Sequence, residues 1–124
     1  KTLNFGHTIG HAVESLFLQS NQLIPHGEAV ALGMICETHL SCLENLINAE
    51  TEEEIIKKIR KFYPFIPINA FSTEQLLALM KNDKKNSDGK ISFALIDKIG
   101  NCQFDCAVSG ENIISALHFY QSLE

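Results

Sequence analysis

Apolar residues recur at helical spacing soon after the chain begins. Ile9, Ala12, Val13, Leu16 and Phe17 fall on one stripe, which predicts a helix from Gly6 or His7 to about Gln19. At about 100° per residue, His7, His11, Glu14 and Leu18 lie within roughly 60° of one another on the opposite side. One helix therefore buries one face and presents imidazoles on the other. After a loop through Asn21 and Pro25, the positions Ala29, Val30, Leu32, Gly33, Leu40 and Leu43 carry a second helix from His26 to about Ile47. Small residues near its start allow close packing, and Leu40, Leu43, Leu46 and Ile47 are expected to be buried. Thr51 with Glu54, and Ser72 with Gln75, have the form of capping boxes and predict helices over 52–62 and 73–81. Pro64 and Pro67 punctuate the link between them. Beyond the polar loop Asn82 to Lys90, the stretches Ile91 to Ile96 and Cys102 to Val108 read as short strands joined through Asp97-Lys98-Ile99-Gly100 in a hairpin. Ser109 caps a last helix from Gly110 to Tyr120, with Ile113, Ile114 and Leu117 as its apolar positions. The fold class is mainly α, a multihelical domain with a small β-hairpin.

The 124 residues and 45% hydrophobic content suit one domain with its own core. Lys1 stands where an initiator Met would, so the chain reads as a fragment of something longer. A formal charge of −5 without a basic stripe argues against a nucleic-acid partner, which needs clustered Lys and Arg. No apolar run approaches the roughly 18 to 20 residues that span a bilayer, and no signal peptide opens the chain. The expectation is a cytoplasmic protein with no membrane contact. Cys36, Cys42, Cys102 and Cys106 are expected to be reduced core thiols. Cys36, His39 and Cys42 recur at three-residue spacing but spread over some 120° of a helix, so packing is the expected role.

Three of the five histidines stand in about a fifth of the chain, in Asn4-Phe5-Gly6-His7-Thr8-Ile9-Gly10-His11 and His26-Gly27-Glu28-Ala29-Val30. Histidine is the commonest side-chain metal ligand and a ready acid or base, and neighbouring glycines admit a ligand closely. His7 and His11, four residues apart, project from adjacent turns and can meet one centre or two parts of a substrate. Zinc enzymes usually supply three protein ligands and leave one position open, so two histidines and a carboxylate form a sensible set. His26 is the natural second ligand, since the positive end of a helix favours the neutral ring a metal needs. The plain alternative is a solvated surface pair and an idle helix-entry residue. His39 and His118 lack such company and are expected to be structural. Glu14 would orient His11 or His7 as an acceptor. In Asp83-Lys84-Lys85-Asn86, adjacent lysines near a helix end suit a phosphate or carboxylate, or simply the surface.

The stretch Leu3-Asn4-Phe5-Gly6-His7-Thr8-Ile9-Gly10-His11-Ala12-Val13-Glu14 resembles the 3-dehydroquinate synthase family. So do His26-Gly27-Glu28-Ala29-Val30-Ala31-Leu32-Gly33-Met34 and Asp83-Lys84-Lys85, followed by Phe93-Ala94-Leu95 and Ile99-Gly100. The resemblance covers nearly the whole chain and points to the C-terminal, mostly helical, metal- and substrate-binding domain. It implies a shikimate-pathway enzyme that turns the seven-carbon phosphate DAHP into 3-dehydroquinate with loss of inorganic phosphate, requiring zinc (or cobalt) and NAD. It implies His7 and His26 as metal ligands, and Asn4 and His11 as substrate contacts around the phosphate. Lys84 or Lys85 would supply a further contact to the anion; Lys84 is favoured, directly after Asp83, and joins His11 as a catalytic residue. The family's third ligand is a glutamate upstream of the paired histidines. The NAD-binding domain and an arginine usually just before the motif would also lie upstream, so the 124 residues alone are expected to be inert. The phosphorylated substrate, an upstream NAD-binding domain and, in the full-length protein, a second copy of the chain are the partners to consider. Rival readings are a related sugar-phosphate cyclase, a metal-dependent alcohol or glycerol dehydrogenase domain, and a helical interaction module without chemistry.

Overall fold

A computed structural model describes residues 5–84, 90–97 and 101–124, the side chains of 83 and 84 excepted. Five helices and a hairpin follow in the order α1 (His7–Gln19), α2 (His26–Leu43), α3 (Ala49–Phe62), α4 (Thr73–Lys84), β1 (Ile91–Ile96), β2 (Cys102–Val108) and α5 (Gly110–Gln121). The mainly α architecture with one antiparallel hairpin matches the sequence pattern. Among the described residues, no helix is long and apolar enough to cross a membrane.

Helix α2 is the central element and packs against α1, α3, α5 and β1. Its burial runs around most of its circumference, from Ala29 and Ala31 through Leu32, Ile35 and Cys36 to Leu40. Helix α1 contributes Ile9, Val13 and Leu16, α4 Leu76 and Met80, the hairpin Phe93 and Leu95, and α5 Leu117 and Tyr120. Each large side chain taken from water in this way contributes about 1.5–3 kcal/mol before entropy is counted. The Tyr120 ring stacks on Phe65 at 4.8 Å, while its hydroxyl accepts the Ile66 N–H at 2.8 Å, so the phenol is buried with its polar end satisfied.

Several boundaries differ from the sequence reading, each for a local reason. Helix α2 stops at Leu43, short of Ile47, because Asn45 turns left-handed at φ 63. The Asn45 N–H then reaches the Cys42 carbonyl at 3.1 Å and the Leu46 N–H the Ser41 carbonyl at 2.8 Å, a Schellman stop. Leu43 is accordingly 38% exposed and Leu46 half-buried, whereas Leu40 and Ile47 are buried as expected. Helix α3 starts at Ala49, three residues early, because the Asn48 side chain accepts the Thr51 N–H at 2.7 Å; no Thr51–Glu54 box forms. The Ser72–Gln75 box does form, with N–H to side-chain bonds of 2.9 and 3.0 Å, and α4 continues three residues past the expected Lys81. Ser109 caps α5 by accepting the Asn112 N–H at 3.2 Å, and α5 ends at Gln121, one residue past Tyr120.

In the hairpin Ile91 faces Val108, Phe93 faces Cys106 and Leu95 faces Gln103; the register shifts between Phe93 and Leu95. The extra residue lies on β2, where Asp105 takes φ 57. Positions 98–100 of the expected connection lie outside the described residues.

Candidate functional site

The site is built where α1 begins. Gly6 takes φ 86, and a Cβ there would stand 2.5 Å from Met34 Cγ and 2.8 Å from the Val30 carbonyl oxygen, so only glycine fits this entry. A Cβ on Gly33 would meet the Gly6 oxygen at 2.0 Å and the Gly10 nitrogen at 2.8 Å. The backbones of α1 and α2 therefore touch through three glycines, with no side-chain layer between them. That contact sets His7 and His11 on α1 against His26 at the start of α2.

A helix that starts on glycine has no side chain to cap its own first turn. Here the cap comes from the neighbouring helix. Glu37, fully buried on α2, accepts the Gly6 N–H on Oε1 at 2.8 Å and the Ile9 N–H on Oε2 at 3.0 Å. Those are the two donors that a local capping box would serve, one at the cap and one three residues on. The negative carboxylate also meets the positive end of the helix.

Three imidazoles then form a triangle. Ring centroids are 5.3 Å apart for His7 and His11, 5.9 Å for His7 and His26, and 6.2 Å for His11 and His26. His7 is half-buried, and His11 and His26 are exposed. His7 Nδ1 lies 3.3 Å from the Phe5 carbonyl oxygen, which can only accept, so Nδ1 carries the proton. His26 Nδ1 lies 3.1 Å from Glu14 Oε1, and an ionised carboxylate again requires a proton on Nδ1. In their neutral form both rings therefore keep Nε2 as the lone-pair nitrogen, the form in which a histidine binds metal while its other nitrogen is held by an acceptor. Glu14 orients His26, not His11 or His7 as its helical position suggested, because the turn at Asn21 folds α2 back against α1.

Among the described residues, no three His, Cys, Asp or Glu side chains converge as a ligand set for a metal ion. The chemistry of His7 and His26 fits a zinc ion as two of its ligands and leaves a third to come from outside that set. Asn4 and Lys85 lie outside the described residues. Lys84 is the last residue of α4, and its side chain likewise lies outside them. Of the two histidines expected to be structural, His118 is exposed on α5. His39 bonds to Glu52 on α3 and stacks on Phe119 with centroids 3.9 Å apart. It ties three helices together and makes no cluster with Cys36 and Cys42. All four cysteines are free thiols, but only Cys36 is a core thiol in the full sense; Cys42, Cys102 and Cys106 are half-buried. Burial, with Glu37 beside it, pushes the Cys36 thiol far up and keeps it protonated.

Glu37 is the residue that the sequence reading missed. A single acid inside the apolar run Ile35-Cys36-Glu37-Thr38 was its only trace, and a glycine-started α1 in need of a cap was the other half of the signal.

The chain matches the 3-dehydroquinate synthase C-terminal family over residues 1–86. It is 38% identical over 121 residues to a 3-dehydroquinate synthase of Parabacteroides distasonis, covering 98% of this chain and 34% of that protein. It is 41% identical over 116 residues to one from Picrophilus torridus, covering 93% and 32%. The chain thus spans about a third of the length of the curated relatives it matches. A 2-deoxy-scyllo-inosose synthase solved with carbaglucose-6-phosphate, NAD+ and Co2+ superposes with a TM-score of 0.74 at 21% identity, over 96% of this chain and 32% of that one. A 2-epi-5-epi-valiolone synthase from Streptomyces hygroscopicus, solved with NAD+ and Zn2+, gives a TM-score of 0.74 at 21% identity over 100% and 34%. These two share the fold.

Proposed function

Because this chain belongs to the 3-dehydroquinate synthase family, as its C-terminal domain, we propose that it provides the metal- and substrate-binding half of an enzyme converting DAHP to 3-dehydroquinate and inorganic phosphate. The observation that carries the reading is the pair His7 and His26, each with Nδ1 committed to an acceptor and Nε2 left as a lone pair beside His11.

In this proposal His7 and His26 hold a zinc or cobalt ion, with a third ligand from the upstream part of the protein. When bound, the metal supplies Lewis-acid polarisation of a substrate hydroxyl. The chain's own work is to place the substrate. The His11 ring, 5.3 Å from His7 and 6.2 Å from His26, would take the phosphate end of the substrate and donate to one of its anionic oxygens. Asn4 and the lysines Lys84 and Lys85 belong to the same anion site by their match to the family motif. Glu14 fixes the His26 ring, and the glycine contact fixes the spacing of the two helices.

NAD is assigned mainly to the upstream domain, because the described residues form no dinucleotide-binding turn. The strand-to-helix connection from β2 to α5 is the single residue Ser109, with no glycine-rich turn to cradle a pyrophosphate. A cytoplasmic setting belongs to the same proposal. A sibling sugar-phosphate cyclase is the second reading, favoured by the two solved folds; identities of 38% and 41% to synthases against 21% to the siblings favour the first.

The test is phosphate release from DAHP by the protein with its upstream domain, NAD and zinc. Wild type should yield phosphate and dehydroquinate together, and His7→Ala should lose both product and bound metal. Undiminished zinc in the paired His7→Ala, His26→Ala variant would remove the metal-site assignment.

A further inference from the structure

The peptide between Phe5 and Gly6 stands at the centre of a chain of hydrogen bonds. Its N–H, on Gly6, donates to Glu37 Oε1 at 2.8 Å. Its carbonyl, on Phe5, accepts from His7 Nδ1 at 3.3 Å. One rigid plane therefore connects a fully buried carboxylate on α2 to the imidazole on α1, with Glu37 Oε2 pinning the same turn through the Ile9 N–H at 3.0 Å.

We propose that Glu37 is a positioning residue for His7, acting through the Phe5–Gly6 peptide to hold the ring as the Nδ1–H tautomer with Nε2 directed outward. The inference rests on the reading of His7 as a metal ligand and adds to it the residue that sets the ring. Three features support it. Gly6 has left-handed φ and no room for a side chain, so it brings no side chain of its own to hold this peptide plane. Both carboxylate oxygens are engaged by N–H groups of the same turn, which fixes the plane in rotation as well as in distance. Donation of the peptide N–H to an anion also polarises that peptide, so its carbonyl becomes a stronger acceptor for the ring proton. His26 reaches the same tautomer by a different route, directly from Glu14, so the two rings provide a comparison within one molecule.

The experiment reads the ring nitrogens of metal-free, 15N-labelled protein by NMR, above the pH range in which imidazole is charged. Wild-type His7 should be mainly Nδ1–H, and the Gly6 amide should be protected from exchange. In Glu37→Gln the amide oxygen can serve only one of the two donors and the NH2 group opposes the other. His7 should then become a mixture of tautomers while His26 is unmoved, and zinc binding should weaken ten- to a hundred-fold. A residue with only a stabilising role would lower the melting temperature and leave the His7 tautomer as it was; that result overturns the proposal. So does a wild-type His7 that is mainly Nε2–H, or a wild-type Gly6 amide that exchanges freely, and neither of these readings needs a variant that folds. The metal reading fails separately, through zinc retained by His7→Ala, whatever the tautomers show.

Discussion

Tyr120 and Glu37 are both buried polar side chains whose hydrogen-bond partners lie far along the chain. Burial pushes the Tyr120 phenol up to about 12, against the opposing pull of the Ile66 N–H bond. The unfolded phenol ionises at about 10, so between about pH 10 and 12 the unfolded state releases a proton that the folded state keeps. The contribution of Tyr120 is complete below that window and is lost as pH rises through it. Tyr120→Phe removes this alkaline loss but strands the Ile66 N–H, which should cost about 1–3 kcal/mol at neutral pH. Urea unfolding at pH 7 and pH 11 checks both: the variant should be weaker at pH 7 and show a smaller fall than wild type. An equal fall would mean that another group carries the alkaline sensitivity. Residues of this kind are the least legible in a sequence. His7, His11 and His26 declared themselves by local spacing and glycine neighbours, whereas Glu37 meets its donors 31 and 28 positions away. Nothing in a periodicity reports a bond of that separation.

At the scale of elements, most of the fold could be read, because stripes and caps are local. All five helices and both strands were present in the hydrophobic pattern, and the Ser72–Gln75 and Ser109 caps formed where the residues suggested. The misplaced end of α2 and start of α3 both turn on an asparagine. Asn48 caps α3 and Asn45 stops α2, two asparagines three residues apart with opposite roles, and only backbone φ separates them. The approach of α1 to α2 was half legible, as small residues without a partner. Its energetics give a direct contrast between two glycines of the same helix. Gly33→Ala puts a Cβ 2.0 Å from the Gly6 oxygen, so the helices must part at a cost of about 1–3 kcal/mol or more. Gly27→Ala meets nothing within 4 Å and should be neutral or stabilise by up to about 1 kcal/mol through helix propensity. Urea midpoints of the two variants decide the matter; equal midpoints would mean that the helices slide apart freely.

At the scale of the whole molecule, the chain forms one core and carries two of the proposed metal ligands, with no NAD-binding turn among the described residues. The 124 residues by themselves should release no phosphate from DAHP with NAD and zinc supplied, and turnover by them would overturn the division of labour proposed here. Adding the upstream domain should restore release. The backbone contact through Gly6, Gly10 and Gly33 also constrains how such an enzyme can move. Helices separated by side chains can shear by trading rotamers, but two backbones in van der Waals contact have no rotamers to trade. The α1–α2 pair is therefore one lever, and under the proposed function any hinge that admits substrate would lie outside it.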